Sequence, residues 1–136
     1  MASKIYSFKK EERLCSKKFL TQLFDNGSSF LVYPYRVVWL ISPNQAQIHP
    51  IQVVISVPKK RFKSAVDRNL IKRRIKEIYR VGKENQLYPA LNQTNQKIIL
   101  ALSYVGKEIH DFNYLQQKVN LLFKTLILKL QENASV

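Results

Sequence analysis

The sequence predicts an α+β fold, a single domain in which helices pack on a sheet. The chain has 136 residues and 46% hydrophobic content, which suits one domain with one core. Segments with helical periodicity alternate with β-branched runs in the order helix, two or three strands, helix, strand, helix. No repeat or linker divides the chain, so residues 1–136 should form one domain, with residues 1–12 and 132–136 as loose termini.

The first helix is predicted to start at Ser16 and to run to about Asn26. The hydroxyl of Ser16 can accept a hydrogen bond from one of the unpaired N–H groups of the first turn, and Gly27 is a suitable stop. The apolar residues of this segment form one stripe along the helix: Phe19, Leu20, Leu23 and Phe24.

Two runs rich in β-branched and aromatic residues, Tyr35–Ile41 and Ile51–Val57, predict strands. The loop between them, Ser42 to Pro50, contains two prolines and an asparagine. Because the two runs follow each other closely in the chain, we expect them to pair as an antiparallel hairpin.

The second half of the chain predicts a basic helix from about Ala65 to Lys83, a polar loop, a strand over Lys97–Tyr104 and a last helix capped by Asp111. The last helix carries an apolar stripe to the end of the chain. Such a stripe could lie on a membrane, but packing onto the sheet is much commoner. The stripe consists of Phe112, Leu115, Val119, Leu122, Phe123, Leu126, Ile127 and Leu130.

The charge balance points to a polyanionic partner. The net charge is +14, from 23 basic and 9 acidic residues. An excess of this size destabilises the compact state unless nucleic acid or an acidic membrane surface neutralises it. The single cysteine, Cys15, cannot form an internal disulfide, and we find neither a signal-peptide core nor a membrane-spanning run. We therefore expect a soluble, cytoplasmic protein without a membrane partner.

The charge is concentrated in one segment, since eleven cations and two acids lie between Lys59 and Lys83. On a helical wheel one face of the predicted basic helix is almost wholly cationic, within an arc of roughly 140°. A charged face is often merely solvated, but solvated faces normally mix both signs, and this arc contains no carboxylate. The arc contains Arg68, Asn69, Lys72, Arg73, Lys76, Arg80 and Lys83, with Arg74 as a misfit outside it.

The start of this helix has the features of an anion site. Arg68 lies in the first turn, where the helix dipole already makes the potential positive and a further cation is unfavourable. A phosphate would reverse that sign, because it could bind the free N–H groups, Arg68 and the preceding pair Lys59 and Lys60.

The inventory of reactive side chains does not predict a catalytic centre. The two histidines, His49 and His110, lack the spacing of a metal site or a triad, and we expect both at the surface. Glu11 and Glu12 lie in the charged leading segment and are expected to be solvated. Only three glycines are present, so no glycine-rich phosphate loop exists.

Aromatic residues could complete a site for single-stranded nucleic acid, because bases stack on rings while cations follow the backbone. By alternation, Tyr35, Val37 and Trp39 share one strand face. The first helix offers Phe19 or Leu20, together with Phe24, as the residues that face them. The alternative is that these side chains belong to the core.

The stretch "SVPKKRFKSAVDRNLIKRRIKEIYR", Ser56 to Arg80, resembles the signature of the bacterial ribonuclease P protein subunit, in which S-V-x-K-K and then A-V-x-R-N-R-x-K-R open a long basic helix. The segment from Arg13 to Ser29 is similar to the first helix and following turn of that family. Two departures are present: Leu70 stands where the family has the second arginine of R-N-R, and "RFKS" replaces the stretch with its common glycine.

The resemblance implies an α+β sandwich with a central, mostly antiparallel sheet, like domain 2 of ribosomal protein S5. It also implies a left-handed β-α-β crossover where the general rule predicts a right-handed one. It also implies that the catalyst is an RNA subunit, which uses Mg²⁺ to remove the 5′ leader of precursor tRNA. The protein would bind that catalytic RNA and the precursor tRNA, with no obligatory protein partner evident and no cofactor or metal of its own.

The site residues implied for the catalytic RNA are Lys59, Lys60, Arg61, Arg68, Asn69, Lys72, Arg73, Lys76 and Arg80. Those implied for the leader cleft between the first helix and the sheet are Phe19, Leu20, Phe24, Tyr35 and Trp39. Two rival functions remain. A structural or ribosome-associated RNA-binding protein would need no aromatic cleft. A DNA-binding regulator would read bases in the major groove, but this sequence shows no paired helix-turn-helix pattern.

Overall fold

The computed structural model describes residues 8–44 and 46–134. It has the predicted α+β architecture, with one four-stranded sheet and helices on both of its faces. The elements in chain order are a 3₁₀ turn Lys10–Glu12, α1 Lys17–Asn26, β1 Ser28–Val32, β2 Tyr35–Ile41, β3 Ile51–Ser56, α2 Ala65–Gly82, a π turn Lys83–Leu87, α3 Tyr88–Thr94, β4 Ile98–Tyr104 and α4 Phe112–Ala134.

The strand order in the sheet is β1-β2-β4-β3, so the predicted hairpin between β2 and β3 is wrong. β4 lies between them, antiparallel to β2 and parallel to β3. It takes the central position because six of its seven residues are buried, and a strand that is apolar on both faces is most stable inside a sheet. Two of the three strand pairs are antiparallel, as expected for the sheet as a whole.

The parallel pair β3 and β4 needs a long connection, which the basic helix and the helical segments after it provide. This β-α-β unit agrees with the family resemblance, and the left hand of its crossover stays a prediction. α2 and α4 cover one face of the sheet and form the main core with it. α1 covers part of the opposite face.

The caps of α1 are those predicted from the sequence. The Ser16 hydroxyl accepts a hydrogen bond from the N–H of Phe19 at 3.3 Å. Gly27 ends the helix where its backbone passes close to β2: a Cβ atom at this position would lie 2.3 Å from the carbonyl oxygen of Leu23 and 2.9 Å from a methyl group of Val38. A larger residue would therefore force α1 away from the sheet.

The polar loop predicted after the basic helix is helical instead. Leu87 and Leu91 are fully buried and lie four residues apart, so one side of this segment packs into the core despite its polar composition. Pro89 lies in the first turn of α3, where its missing N–H costs little. α3 ends at Asn95, which has a left-handed φ of 55° that asparagine tolerates better than most residues.

Residues 1–12 were predicted to be loose, and of these residues 1–7 lie outside the described part of the chain. The segment 8–12 is anchored by a buried ion pair, so the expectation that Glu12 is solvated is wrong. Glu12 is only 2% exposed and accepts hydrogen bonds from the Lys83 ammonium and the Tyr88 hydroxyl. Lys83, predicted on the cationic face, is fully buried, with its ammonium 5.4 Å from the ring centre of Phe8. The prediction failed because the pairing joins residues 71 positions apart, which no local pattern reveals.

The last helix packs on the sheet as predicted. Asp111 caps α4 by accepting a hydrogen bond from the N–H of Tyr114 at 2.8 Å, and the helix continues through residues 132–134, which were expected to be loose. Six members of its apolar stripe are buried in the main core: Leu115, Val119, Leu122, Phe123, Leu126 and Leu130. Among residues 8–44 and 46–134, no helix is both long and apolar enough to cross a bilayer.

We expect Glu12→Gln to lower the free energy of unfolding by about 3–5 kcal/mol, because it leaves the Lys83 ammonium buried without a counter-charge. Urea denaturation of the purified protein measures this change. Glu11→Gln is the matched control, since it removes the same charge from an exposed neighbour and should change stability by less than about 0.5 kcal/mol. Equal losses in the two variants would contradict the anchoring role of Glu12.

The same pair predicts how stability depends on acid. Burial raises the pKa of the Glu12 carboxyl. Hydrogen bonds from Lys83, Tyr88 and the Lys9 backbone, together with the positive charge of Lys83, lower it by more, so the pKa lies below its usual 4.5. The unfolded chain then binds this proton more readily than the folded chain. The contribution of Glu12 to the free energy of unfolding is therefore complete above about pH 4.5. It is lost as the pH falls through the lower pKa that the carboxyl has in the folded state. Glu12→Gln should flatten this part of the stability curve, whereas Glu11→Gln should not.

Candidate nucleic-acid interface

The predicted cationic residues, with the exception of Lys83, lie at the surface on α2 and on the loop that precedes it. Within the described part of the chain, the single carboxylate that forms a salt bridge with any of them is Glu77, which pairs with Arg80 at 2.7 Å. The face is therefore strongly positive. Its exposed members are Lys59, Lys60, Arg61, Asn69, Arg73 and Lys76, and its half-buried members are Arg68, Lys72 and Arg80.

The pair Glu77 and Arg80 lies at the far end of this face. A hydrogen bond from Arg80 lowers the pKa of the Glu77 carboxyl, which is therefore ionised near neutral pH. It compensates part of the charge at the C-terminal end of α2. The loop before α2 contains four cations, Lys59, Lys60, Arg61 and Lys63, and no acidic residue, so the uncompensated charge is greatest there.

Arg68 also organises the backbone at this end of α2. Its guanidinium donates hydrogen bonds to the carbonyl oxygens of Phe62 at 2.7 Å and Lys63 at 2.9 Å. Both bonds come from one terminal nitrogen, Nη1, so the N–H groups of the other two guanidinium nitrogens are available to an anion. Arg68 therefore holds the loop in place and presents charge beside the capped helix start, where the Ser64 hydroxyl accepts from the N–H of Asp67.

Arg74, the misfit of the helical wheel, has a structural partner. Its guanidinium donates to the carbonyl oxygen of His110 at 2.7 Å and so ties α2 to the loop before α4. His110 is half-buried and stacks on the ring of Tyr114, with the ring centres 4.2 Å apart. These contacts explain why a cation lies outside the cationic arc.

Two predicted cleft residues, Tyr35 and Trp39, face the wrong side of the sheet. Tyr35 is fully buried, and its hydroxyl donates to the carbonyl oxygen of Leu115 in α4 at 3.2 Å. Trp39 is 7% exposed and belongs to the same core, with Val37. Alternation correctly places the three on one face, but that face lies under α2 and α4, whereas α1 packs on the other.

The first helix contributes the remaining cleft predictions in different ways. Phe19 and Leu20 are half-buried and pack on the sheet against the cluster that includes Val38. Phe24, at the end of the helix, is 56% exposed. Phe24 alone of these three therefore presents most of its side chain to solvent, where a base could stack on the ring.

An open groove of about 430 Å³ runs beside Phe24 over the part of the sheet that α1 leaves uncovered. It combines an exposed ring, small polar side chains, an arginine and an apolar floor. Its lining residues are Phe24, Gly27, Ser29, Arg36, Val38, Ser103 and Val105.

The register of the strands explains why polar residues gather there. Arg36 near the start of β2 lies opposite Ser103 near the end of β4, and Ser103 also pairs with Ser56 at the end of β3. All three lie at one end of the sheet, on the face opposite the main core. Our sequence analysis missed them, although Arg36 carried a signal: it is a charged residue between two buried strand neighbours and must point the other way.

Other reactive side chains do not form a constellation. Within residues 8–44 and 46–134, no group of three or more His, Cys, Asp or Glu side chains could hold a metal ion. Cys15 is exposed and unpaired with another cysteine. The cationic face offers charges that suit phosphates, and Phe24 offers a ring that suits a base.

Known proteins with similar sequences and folds are ribonuclease P proteins. A family profile described as Ribonuclease P matches residues 8–127. The chain is 32% identical over 112 residues to the ribonuclease P protein component of Porphyromonas gingivalis, covering 82% of this chain and 80% of that one. It is 30% identical over 132 residues to the component of Idiomarina loihiensis, covering 97% of each.

The fold is similar to that of solved structures as well. The RNase P protein from Thermotoga maritima superimposes with a TM-score of 0.66 at 22% identity, covering 84% of this chain and 96% of that one. The RNase P protein of Staphylococcus aureus gives a TM-score of 0.63 at 23% identity, with coverage of 85% and 94%. The profile spans most of the chain and the relatives align over most of their length. The chain therefore belongs to the ribonuclease P protein family.

Proposed function

We propose that this chain is the protein subunit of a ribonuclease P holoenzyme, which binds the catalytic RNA through the cationic face and the 5′ leader of precursor tRNA through the groove beside Phe24. The observation that carries the proposal is the position of the groove, which lies at the end of the sheet that leads into the uncompensated loop and helix. The family membership supports the same role.

The two surfaces suit two kinds of contact with RNA. Exposed lysines and arginines bind phosphates regardless of sequence, which positions an RNA and supplies much of the affinity. A groove with an exposed ring suits unpaired nucleotides, since a base can stack there only when it has left a duplex. A leader is a single-stranded extension, so the groove fits it better than it fits a folded RNA domain.

The protein's part in the reaction is then to bind and position. In the proposed holoenzyme the RNA subunit uses Mg²⁺ to hydrolyse the phosphodiester at the mature 5′ end of the tRNA. Holding the leader fixes the scissile bond relative to that RNA and lowers the entropic cost of reaching the reactive geometry. A structural RNA-binding protein without a processing role would need the cationic face alone.

We expect binding of a ribonuclease P RNA to weaken steeply with salt, because each phosphate contact contributes about −0.7 to −0.9 to the slope of log K against log salt. Lys72→Ala or Lys76→Ala should each reduce that slope by about one unit. Filter binding over a series of salt concentrations measures it.

Lys124→Ala is the matched control for the salt series. It removes one exposed cation from α4. This helix is not part of the cationic face, and it packs on the face of the sheet opposite the groove. Its slope should equal that of the unmodified protein. A slope that is unchanged in both α2 variants would exclude their contact with the RNA backbone.

We expect Phe24→Ala to reduce the preference for precursor over mature tRNA by about 1–3 kcal/mol, the usual cost of a lost stack on a base. Binding of the catalytic RNA alone should change little, since Phe24 belongs to α1 and not to α2 or the loop before it. The measurement is a pair of dissociation constants for the reconstituted complex, one for tRNA with a leader and one for tRNA without it.

Phe112→Ala provides the comparison for that experiment, because Phe112 is a partly exposed ring on α4. It should keep the full preference for the precursor. If Phe24→Ala also keeps it while remaining folded, the leader does not stack on Phe24, and the assignment of the groove to the leader is wrong.

A further inference from the structure

The groove does not end beside α1. A second hollow adjoins it and shares three lining residues with it, Ser29, Arg36 and Val105. The second hollow extends toward the loop that precedes α2 and the loop that follows β4. Single-stranded RNA that lies in the groove beside Phe24 would therefore lie next to the second hollow.

Three cations from distant parts of the chain line this second hollow. Arg36 comes from β2, Arg61 from the loop before α2 and Lys107 from the loop after β4. Within the described residues, none of the three side chains makes a salt bridge or a hydrogen bond. Like charges around one hollow repel each other, so the fold bears an electrostatic cost that a bound anion would remove.

The backbone around the hollow is held in place. The N–H of Lys107 donates to the Tyr33 hydroxyl at 3.3 Å, and the N–H of Val105 donates to the carbonyl oxygen of Pro34 at 2.8 Å. The N–H of Arg61 donates to the carbonyl oxygen of Pro58 at 3.3 Å. The three cations thus extend from anchored segments, which reduces the entropy lost when they bind a ligand.

The remaining lining favours nucleic acid over a small free anion. Leu31 is 64% exposed at the edge of the hollow, and Val105 adds a second apolar surface. A small anion gains nothing from these apolar side chains, whereas a nucleotide can place its phosphate on the cations and its sugar and base on the apolar edge. Arg36 lines both hollows, so one strand could contact it throughout.

We propose that Arg36, Arg61 and Lys107 form a distal phosphate subsite for single-stranded RNA, which binds the part of a leader that extends beyond Phe24. Arg61, although it belongs to the cationic face, would then contact the leader rather than the catalytic RNA. This inference rests on the proposed function, because it takes the strand in the groove to be the leader. Two guanidinium groups can each bind a phosphate with paired N–H groups, and the lysine adds a compact charge. The affinity gained from a leader should then continue to increase with its length.

The test uses the reconstituted complex of protein and catalytic RNA with precursor tRNAs carrying no leader, a leader of about four nucleotides and a leader of about twelve nucleotides. The unmodified protein should bind the short-leader substrate more tightly than mature tRNA, and the long-leader substrate more tightly still. Arg36→Gln and Lys107→Ala should each weaken binding of the long leader by about two- to fivefold, as expected for one exposed ion pair. Lys107→Ala should leave binding of the short leader and of mature tRNA unchanged. Arg36→Gln should also weaken binding of the short leader, because Arg36 lines the groove beside Phe24 as well, but it should leave mature tRNA unchanged. The control Lys124→Ala should change binding of none of the three substrates.

The outcomes separate this inference from the proposed function. If the unmodified protein gains nothing even from the short leader, the proposed function fails. If it gains from the short leader but no more from the long one, the distal subsite alone is overturned. If Arg36→Gln and Lys107→Ala weaken binding of the catalytic RNA in the absence of substrate, the three cations belong to the contact with that RNA, and the distal subsite is again overturned.

Discussion

The central position of β4 is the constraint on which the rest of this structure depends. β4 is buried on both faces and pairs with β2 on one side and with β3 on the other. Its parallel pairing with β3 requires the chain to return along the sheet before β4 begins, and the basic helix α2 makes that return. The loop before α2 therefore starts at the same end of the sheet at which β4 later finishes.

This topology brings the candidate site together from segments that are remote in sequence. Arg36 starts β2, Arg61 follows β3 and Lys107 follows β4, and all three meet at that end because β2 is antiparallel to the other two strands. α1 packs on the same face, where Leu23 lies in one apolar cluster with Val38 and Ala101, and Val38 also borders the groove. The groove is the part of the sheet that α1 does not cover.

The charge of the chain is used in two physically different ways. The exposed cations are solvated and keep their affinity for an external polyanion, which lets one surface bind any RNA backbone. Lys83 is desolvated, and its charge is matched within the chain by Glu12 and by the rings of Phe8 and Tyr88. A buried pair of this kind adds little net stability but makes the loss of either partner costly, so it anchors the N-terminal segment in one place.

The sequence by itself determined most secondary structure, because those features are local. The cap at Ser16, the stop at Gly27, the cap at Asp111 and the bounds of β2 each depend on residues within a few positions of one another. The cationic face of α2 was equally readable from helical periodicity. The motif from Ser56 to Arg80 also indicated the family that the comparisons confirmed.

Tertiary structure alone decided which surfaces meet. A period of two places Tyr35 and Trp39 on one face of β2 but contains no information about which helix covers that face. Both residues were therefore predicted to lie beside α1, whereas they lie under α2 and α4. The burial of Lys83, the order of the strands and the convergence of Arg36, Arg61 and Lys107 each depend on contacts between residues far apart in the chain. Such contacts are selected by the packing of the whole core, because each face of the sheet must be covered by the helix whose apolar surface fits it best.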